Sequence, residues 1–483
     1  MPIAPGQQPT SEMSSQQQAS RQTVTVVGGG VAGLSAACAL ADLGFEVTVL
    51  ESRGYLGGRA SSYLHPGTGE VIDNCQHVLF GCCTNLIGFY ERIGVAQKIF
   101  WDSRMTLIEP GGRRSTLAPS RLPAPLHGLP AILASRCFSI ADKLSLIFAF
   151  TSMMFSRKPD PARSLAQWLE SHLQSTGALE RFWRLVIASA LNADLDQISL
   201  PYAAKVIREL FLNSPTAGSM GMSTVPLSDL YQSAQAYLQD HKSSIHFNAN
   251  VEAAAWNTEL RKWTIQTRSG PHESDLLVLA LPFEATAKLM PNLPANAAAS
   301  ALAESIGKLE HWPICSVHLW YDREITELGH AVLLDRDIHW MYHKSRWQPC
   351  RDSNASYIEL VISASREFAA LSREDALKRA TDQLAEFFPE VINAKLLKSA
   401  LIKEVRATFG VPPGIDSARA TAVSPWPNCF LAGDWTDTGW PSTMESAARS
   451  GHLAAEALLR SLGDRRALLV PDLKPTGLMK LLS

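Results

Sequence analysis

The chain has 483 residues, 46% of them apolar, and a formal net charge of −2. That length holds two or three domains around a large core, and the near-neutral charge excludes nucleic acid as the main partner. The eight cysteines form no C-x-x-C pair and no His/Cys cluster of zinc spacing, so no metal site is expected and a reduced, cytoplasmic setting is.

Residues 1–21 are rich in Gln, Ser and Pro, lack an apolar segment, and read as a disordered tail rather than a signal peptide. Residues 23–60, TVTVVGGGVAGLSAACALADLGFEVTVLESRGYLGGRA, organise the rest of the chain. A β-branched run, Val24 to Val27, enters Gly28, Gly30 and Gly33. A helical pattern runs from Leu34 to Leu43, and a second apolar run, Val47 to Leu50, stops at Glu51. This is the βαβ unit that binds a dinucleotide. Gly28 allows the turn, Gly30 lets backbone approach a pyrophosphate, and Gly33 lets helix and strand pack. The helix N-terminus faces the phosphates. Glu51 accepts the ribose hydroxyls and argues against a 2′-phosphate.

On these residues alone the dinucleotide is NAD or FAD. Gly57-Gly58-Arg59 extends the fingerprint, which resembles the FAD-binding unit of the amine oxidase and phytoene desaturase superfamily. That resemblance implies FAD, with the Gly-Gly pair beside the pyrophosphate and the arginine holding the cofactor. Ala32 and Ser52 join the expected cofactor contacts.

Further along, a turn at Pro66 to Gly69 predicts a hairpin into Glu70 to His77. His77 reads as a proton donor or as a buried, hydrogen-bonded histidine. Residues 81–99 predict an amphipathic helix and its exit. Phe100-Trp101 and Met105 to Leu107 then open a second domain.

Residues 121–157 hold the most informative apolar patch. Leu144 to Phe155 is nearly uninterrupted, is too short to span a bilayer at about 20 residues, and is flanked by Arg136, Lys143, Arg157 and Lys158. It reads either as a helix in a membrane surface or lipid entrance, or as a buried core helix. Residues 164–212 predict two or three helices, 218–226 a flexible turn, and 227–238 another helix.

Short strands come next at 245–247, 251–256 and 263–267, then the apolar strand 275–281. Strands at 314–321, 338–343 and 357–363 carry Trp320, Tyr321, Trp340 and Tyr342. With Trp347 these are expected to face one sheet surface, the floor of an apolar pocket. A polar amphipathic helix and its turn occupy 373–398. The strand Cys429 to Leu431 runs into Gly433-Asp434, and a capped helix starts near Ser442, Thr443 and Met444. Residues 463–483 read as a mobile tail.

In the superfamily, a valine at the position of Val251 caps the adenine. Asp434 accepts from the ribityl or pyrophosphate region, and the helix after Thr443 points at the flavin. Cys75 stands where the superfamily has glycine. The fold expected is α/β: a discontinuous Rossmann-type, amine oxidase-like FAD-binding domain (22–100, 235–300 and 401–462) with an interleaved α+β substrate domain (101–234 and 301–400).

The residues Asp73 to Leu79, Gly81 to Asn85, Leu122-Pro123-Ala124-Pro125-Leu126-His127, Phe182-Trp183, Leu191-Asn192 and Ala432 to Thr436 resemble the squalene-associated FAD-dependent desaturases, the hydroxysqualene dehydroxylases of bacterial squalene and hopanoid synthesis. This resemblance implies reductive removal of a hydroxyl, with hydride from reduced FAD and an external reductant to reload it. It implies a long isoprenoid substrate, hydroxysqualene, and a peripheral place at the inner membrane. His77, then Asp437, is the expected proton source, and Trp435, Trp440 and Tyr342 are the expected faces for a cation. The alternatives are a phytoene-type desaturase passing hydride to oxidised FAD and a non-catalytic prenyl-chain binder.

Overall fold

The computed structural model describes residues 21–156, 158–348, 356–364 and 366–482. The expected tail falls outside the described residues except for Arg21, as do Arg157 and Cys350.

Five strands make a parallel sheet in the order Ser244–His246, Glu46–Leu50, Thr23–Val27, Leu276–Leu279, Cys429–Leu431. Its central strands are β-branched or leucine-rich and almost wholly buried, as a sheet covered on both faces requires. The helix Val31–Asp42 packs on the helix Met444–Ser461, closely enough that a Cβ on Gly451 would sit 2.4 Å from the Ala32 carbonyl oxygen. The helix Leu227–Asp240 joins them, with the Tyr237 hydroxyl donating to Asp42. A boundary at 235 therefore cuts this helix, and the nucleotide domain resumes near 227.

The second domain is built on a seven-stranded sheet in the order Leu396–Phe409, His311–Tyr321, Ser356–Ile362, Trp340–His343, His330–Leu333, Met105–Ile108, Arg114–Leu117. Strand 396–409 pairs with strand 311–321 as far as Phe409, so the boundary expected at 401 moves to about residue 410. One face packs under the helix Arg373–Phe387 through Val317, Leu319, Tyr321 and Leu360. The expected single aromatic surface does not form. Side chains alternate along a strand, so Tyr321 lies under that helix while Trp320 stacks on Tyr357 across the sheet, with ring centroids 4.5 Å apart.

Two other expectations change. Residues 218–226 are not a flexible turn. Met220–Ser223 is the middle strand between Val78–Phe80 and Ile99–Asp102. Gly221 serves close packing there, since a Cβ would lie 2.8 Å from Leu79. Residues 468–482 are not a loose tail either. Val470 N donates to Asn85 Oδ1 at 2.9 Å, Asp472 pairs with Arg449 at 2.6 Å, and Leu478 N donates to the Ala124 carbonyl at 2.8 Å. Among the described residues no helix is long and apolar enough to cross a membrane.

Candidate active site

A cleft of about 830 Å3 lies at the carboxyl ends of the parallel strands. Gly28 makes the turn with a φ of 109°, and Gly30 is the N-cap of the helix 31–42, with no side chain capping it. The first-turn N–H groups are thus left for a ligand. Gly30 packs against the Gly57-Gly58 backbone, and a Cβ built on it would meet the Gly58 Cα at 3.8 Å, an ordinary contact distance. Gly33 lies off the cleft, where a Cβ would be 1.9 Å from the Gly28 carbonyl oxygen, which is the helix-to-strand packing expected of it. Glu51 ends its strand with its carboxylate held by Gly29 N at 2.7 Å and Arg53 N at 2.8 Å, beside Ser52.

Gly28, Gly30, Ala32, Glu51, Ser52, Gly57, Gly58, Arg59, Val251, Gly433, Asp434, Ser442, Thr443 and Met444 all line this one cleft. Arg59 forms an ion pair with Asp434 and donates to the Ala407 carbonyl at 3.0 Å. Ser442 donates to the other Asp434 oxygen, and Thr443 caps the second helix by accepting from Ser446 N at 3.1 Å. An acid at the ribose position, a glycine cradle and two helix N-termini in one elongated cleft fit FAD.

The cleft wall Asn74 to Val78 is held from behind by a buried cluster. Lys344, 1% exposed, pairs with Asp73, donates to Gln76 Oε1 at 2.8 Å, and lies 3.6 Å from Glu359. Burial pushes the Asp73 carboxyl up, but Lys344 and hydrogen bonds from Ser62 and Leu227 N outweigh it and hold it below its ordinary value. Burial wins at Glu359, lifting that carboxyl above its ordinary value against the pull of Lys344. Neither Lys344 nor Glu359 carries a local motif; only the fold brings them to the cleft wall. Asn192 was legible only through the family resemblance. It sits in the left-handed region at φ 53° and donates to Thr408 Oγ1 at 2.8 Å on the same cleft.

His77 lines the cleft. Its Nδ1 is 2.6 Å from the Cys75 carbonyl oxygen, so Nδ1 carries the proton and Nε2 is the nitrogen left for proton exchange. Burial holds its pKa below the ordinary value, with the Cys75 carbonyl only partly offsetting this, which makes the resting imidazole neutral.

The other four expected catalytic residues line neither this cleft nor the apolar cavity beside the helix Ile140–Phe155. Asp437 is exposed, and its N–H is spent on the Ala420 carbonyl at 2.8 Å. Trp435 comes directly after Asp434 and backs the wall from behind, its indole against Gly433 and its N–H donating to the Leu281 carbonyl at 2.9 Å. Trp440 packs against Lys205 and Arg449. Tyr342 stacks on Trp340 at 5.8 Å, behind the wall. Arg419 pins this loop by donating to the Asp434 carbonyl at 2.9 Å and the Trp440 carbonyl at 2.7 Å. The cleft lining holds no Trp, Tyr or Phe among the described residues.

The apolar cavity, of about 240 Å3, lies between residues 125–132, the helix Ile140–Phe155 and two π-helical segments, Leu179–Ala188 and Arg208–Leu212. Such segments are rare and gather at functional sites. Phe138, Phe150, Phe182 and Phe211 wall it, with His127 buried at its edge and its Nδ1 without a hydrogen bond. The helical stretch from 179 joins the two sites, with Phe182 on the apolar cavity and Ser189, Ala190 and Asn192 on the cleft.

The family model of flavin-containing amine oxidoreductases matches residues 31–459. The 15-cis-phytoene desaturase of Synechococcus elongatus is 25% identical over 459 residues, 90% of this chain and 95% of that one. A probable zeta-carotene desaturase of the same organism is 26% identical over 482 residues, 91% and 98% of the two chains. Among solved structures, putrescine oxidase with bound putrescine superposes with a TM-score of 0.70 at 15% identity, covering 91% of this chain and 99% of that one. A putative protoporphyrinogen oxidase from Exiguobacterium gives 0.66 at 15% identity, covering 92% and 99%. At such identities the structural likeness speaks for the fold.

Proposed function

The chain belongs to the flavin-containing amine oxidoreductase family, as an FAD-dependent oxidoreductase of the phytoene and carotenoid desaturase type, and on that premise we propose that it converts hydroxysqualene to squalene by replacing the hydroxyl with hydride. One observation carries the reading. The segments that resemble the dehydroxylases converge, with His77 and Asn192 on the flavin cleft and His127 on the apolar cavity, joined by one helical stretch.

Bound FAD, reloaded by an external reductant, supplies the hydride. The protein's part is to hold, orient and protonate. Glu51 and the helix 31–42 N-terminus fix the dinucleotide, and the apolar cavity takes an isoprenyl arm out of water. Loss of the hydroxyl as water consumes one proton, and the carbon left behind gains one hydride. His77, steadied through Nδ1 by the Cys75 carbonyl, takes up that proton at Nε2 and passes it to the hydroxyl. Asp437 has no part, being exposed away from the cleft.

The test is a product assay without oxygen, with holoenzyme, chemically reduced FAD and hydroxysqualene. Squalene is the expected product, and its absence with intact bound flavin overturns the reading. A second reading, polyprenoid desaturation with hydride passing to oxidised FAD, is favoured by the relatives and by a resting His77 that is neutral and able to accept a proton. It predicts added double bonds in phytoene with oxidised enzyme only.

A further inference from the structure

Lys344 fixes which way the amide of Gln76 faces. Burial works against a charge on Lys344, but Asp73 and then Glu359 outweigh it and hold its pKa above the ordinary value. The side chain is therefore an ammonium, with protons to give and no lone pair to offer. The Gln76 atom it meets at 2.8 Å is accordingly the oxygen, Oε1, and the amide nitrogen is turned to the other side. Gln76 is half-buried and lines the flavin cleft next to His77. Among the described residues the one contact of its Nε2 is the His77 carbonyl at 3.5 Å, the outer limit of a hydrogen bond. An amide nitrogen carries two protons, so at least one N–H is left for a ligand in the cleft.

The lysine is itself held from two sides. Asp73 pairs with it while accepting from Ser62 Oγ at 2.6 Å and Leu227 N at 3.2 Å. Glu359 Oε2 lies 3.6 Å from Nζ, and Glu359 Oε1 accepts from Ser316 Oγ at 2.9 Å. Ser316 Oγ meets His318 Nε2 at 3.0 Å, and His318 Nδ1 meets the Tyr357 hydroxyl at 2.8 Å. His318 and Glu359 stand opposite each other on paired strands, and no member of this chain is more than 8% exposed. Burying so many polar groups is costly, and a plain wall residue needs none of them. What the chain secures is the direction of one amide, as a site that must hold a ligand atom in place requires.

A donor fixed beside His77 has a chemical meaning. The substrate proposed above is a hydrocarbon chain with one hydroxyl, and that oxygen has two lone pairs. His77 Nε2 brings a proton to one of them, and a neighbouring N–H holds the other. A pure hydrocarbon has no acceptor to offer and would leave the Gln76 N–H unpaired on binding.

We propose that Gln76 Nε2 donates to the hydroxyl oxygen of the substrate and holds it at His77, with Lys344 as the positioning residue that sets the amide. The assignment rests on the proposed dehydroxylation. Gln76 gives up no proton. The C–O bond breaks, the proton from His77 completes the leaving water, and the N–H stays on the amide throughout. With the hydroxyl gone the N–H has lost its partner, so the product is held less firmly than the substrate, a discrimination that an apolar pocket alone does not supply.

The test is ligand binding to the oxidised holoenzyme, which has no hydride to give, read from the change in flavin absorbance with hydroxysqualene and with squalene. Wild type is expected to bind the alcohol roughly tenfold more tightly. Gln76→Leu should bring the two affinities together by weakening only the alcohol, with flavin content and melting temperature unchanged. Gln76→Glu keeps an oxygen for Lys344 and loses the donor. Its turnover with reduced flavin should fall at least tenfold while its squalene affinity holds, and it carries the test alone if Gln76→Leu does not fold. Equal wild-type affinities overturn the proposal, as do variants that keep the preference and the rate. So does a Gln76→Leu protein whose flavin affinity or absorbance changes while the preference stays, because the donor then serves the cofactor. A wild type that prefers the alcohol through Gln76 and makes no squalene fails only the proposed reaction. A Gln76→Leu enzyme that keeps the preference and makes squalene at the wild-type rate fails only here.

Discussion

Arg59 and Asp434 stand 375 residues apart in sequence and meet as an ion pair on the wall of the flavin cleft. The pair joins the two cofactor motifs, one just past the first βα turn and the other leading into the helix 444–461. Asp434→Asn keeps an acceptor for Ser442 and removes the charge that Arg59 answers. A charge-assisted hydrogen bond contributes about 1.5–3 kcal/mol, so FAD affinity should fall roughly 10- to 100-fold. Flavin fluorescence titration measures it, and wild-type affinity would make the pair purely structural.

Gly30 and Gly33 separate cofactor binding from folding. Gly30→Ala puts a methyl into the cleft, 3.8 Å from the nearest protein atom, so the melting temperature of the flavin-free protein should hold while the flavin-to-protein ratio falls. Gly33→Ala drives a methyl to 1.9 Å from the Gly28 carbonyl oxygen, a backbone clash that no side-chain rotation relieves. Overpacking costs about 1–3 kcal/mol or more, and this variant should lose folded protein. Full flavin in Gly30→Ala would mean that the cofactor does not approach the Gly30 backbone closely.

The buried lysine gives a third expectation. Lys344→Met leaves Asp73 and Glu359 facing each other with no cation, and removing one partner of a buried pair costs about 3–5 kcal/mol. Adding Asp73→Asn should recover part of that loss, because one stranded charge goes with it. Urea unfolding of the four-member cycle measures the coupling, and additive effects would show that the pair is not coupled.

Much of this was readable in the sequence because short-range geometry writes it there. The glycine turn, Glu51, Gly57-Gly58 and Gly433-Asp434 each impose a local backbone requirement, and all but Gly33 of the expected cofactor residues reach one cleft. Trp435, Trp440, Tyr342 and Asp437 were chosen by chemical type near a motif, and residue type does not fix direction. Trp435 follows Asp434 in a turn, and its indole lies behind the wall, against Gly433 and the Leu281 carbonyl. Lys344 was invisible because its partner Asp73 lies 271 residues away and meets it only when the domains interleave, and Glu359 and Arg419 because no local motif marks them. Gly221 read as a turn because a glycine packed inside a strand leaves the same letter as one at a bend.

Acid stability tests the buried histidines. Burial holds His318 down to about 3 and His339 and His452 down to about 4. Their pKa values are depressed in the native state, so the unfolded chain binds the extra protons and stability falls as pH drops from about 6.5 toward 4. Three such groups give a slope approaching ~4 kcal/mol per pH unit near the middle of that window. Glu359 and Glu445, both raised chiefly by burial, take protons first in the native state and soften it. Urea midpoints across this range should show the decline, with a shallower slope in His452→Gln. A flat profile would mean that these imidazoles stay accessible to solvent.

His77 gives the test that separates the two reactions. With Nδ1 fixed on the Cys75 carbonyl, only Nε2 exchanges protons, and burial sets the pKa below its ordinary value. Dehydroxylation needs the protonated ring, so its rate should rise as pH falls through that lowered pKa. Desaturation needs the neutral ring, so its rate should fall over the same interval. In either case His77→Gln should reduce kcat by about 10²- to 10⁴-fold, the usual range for a positioned proton carrier, while flavin content and melting temperature stay at wild-type values. A variant that keeps both the rate and the pH dependence would return His77 to the role of a hydrogen-bonded wall residue and leave the proton to another group.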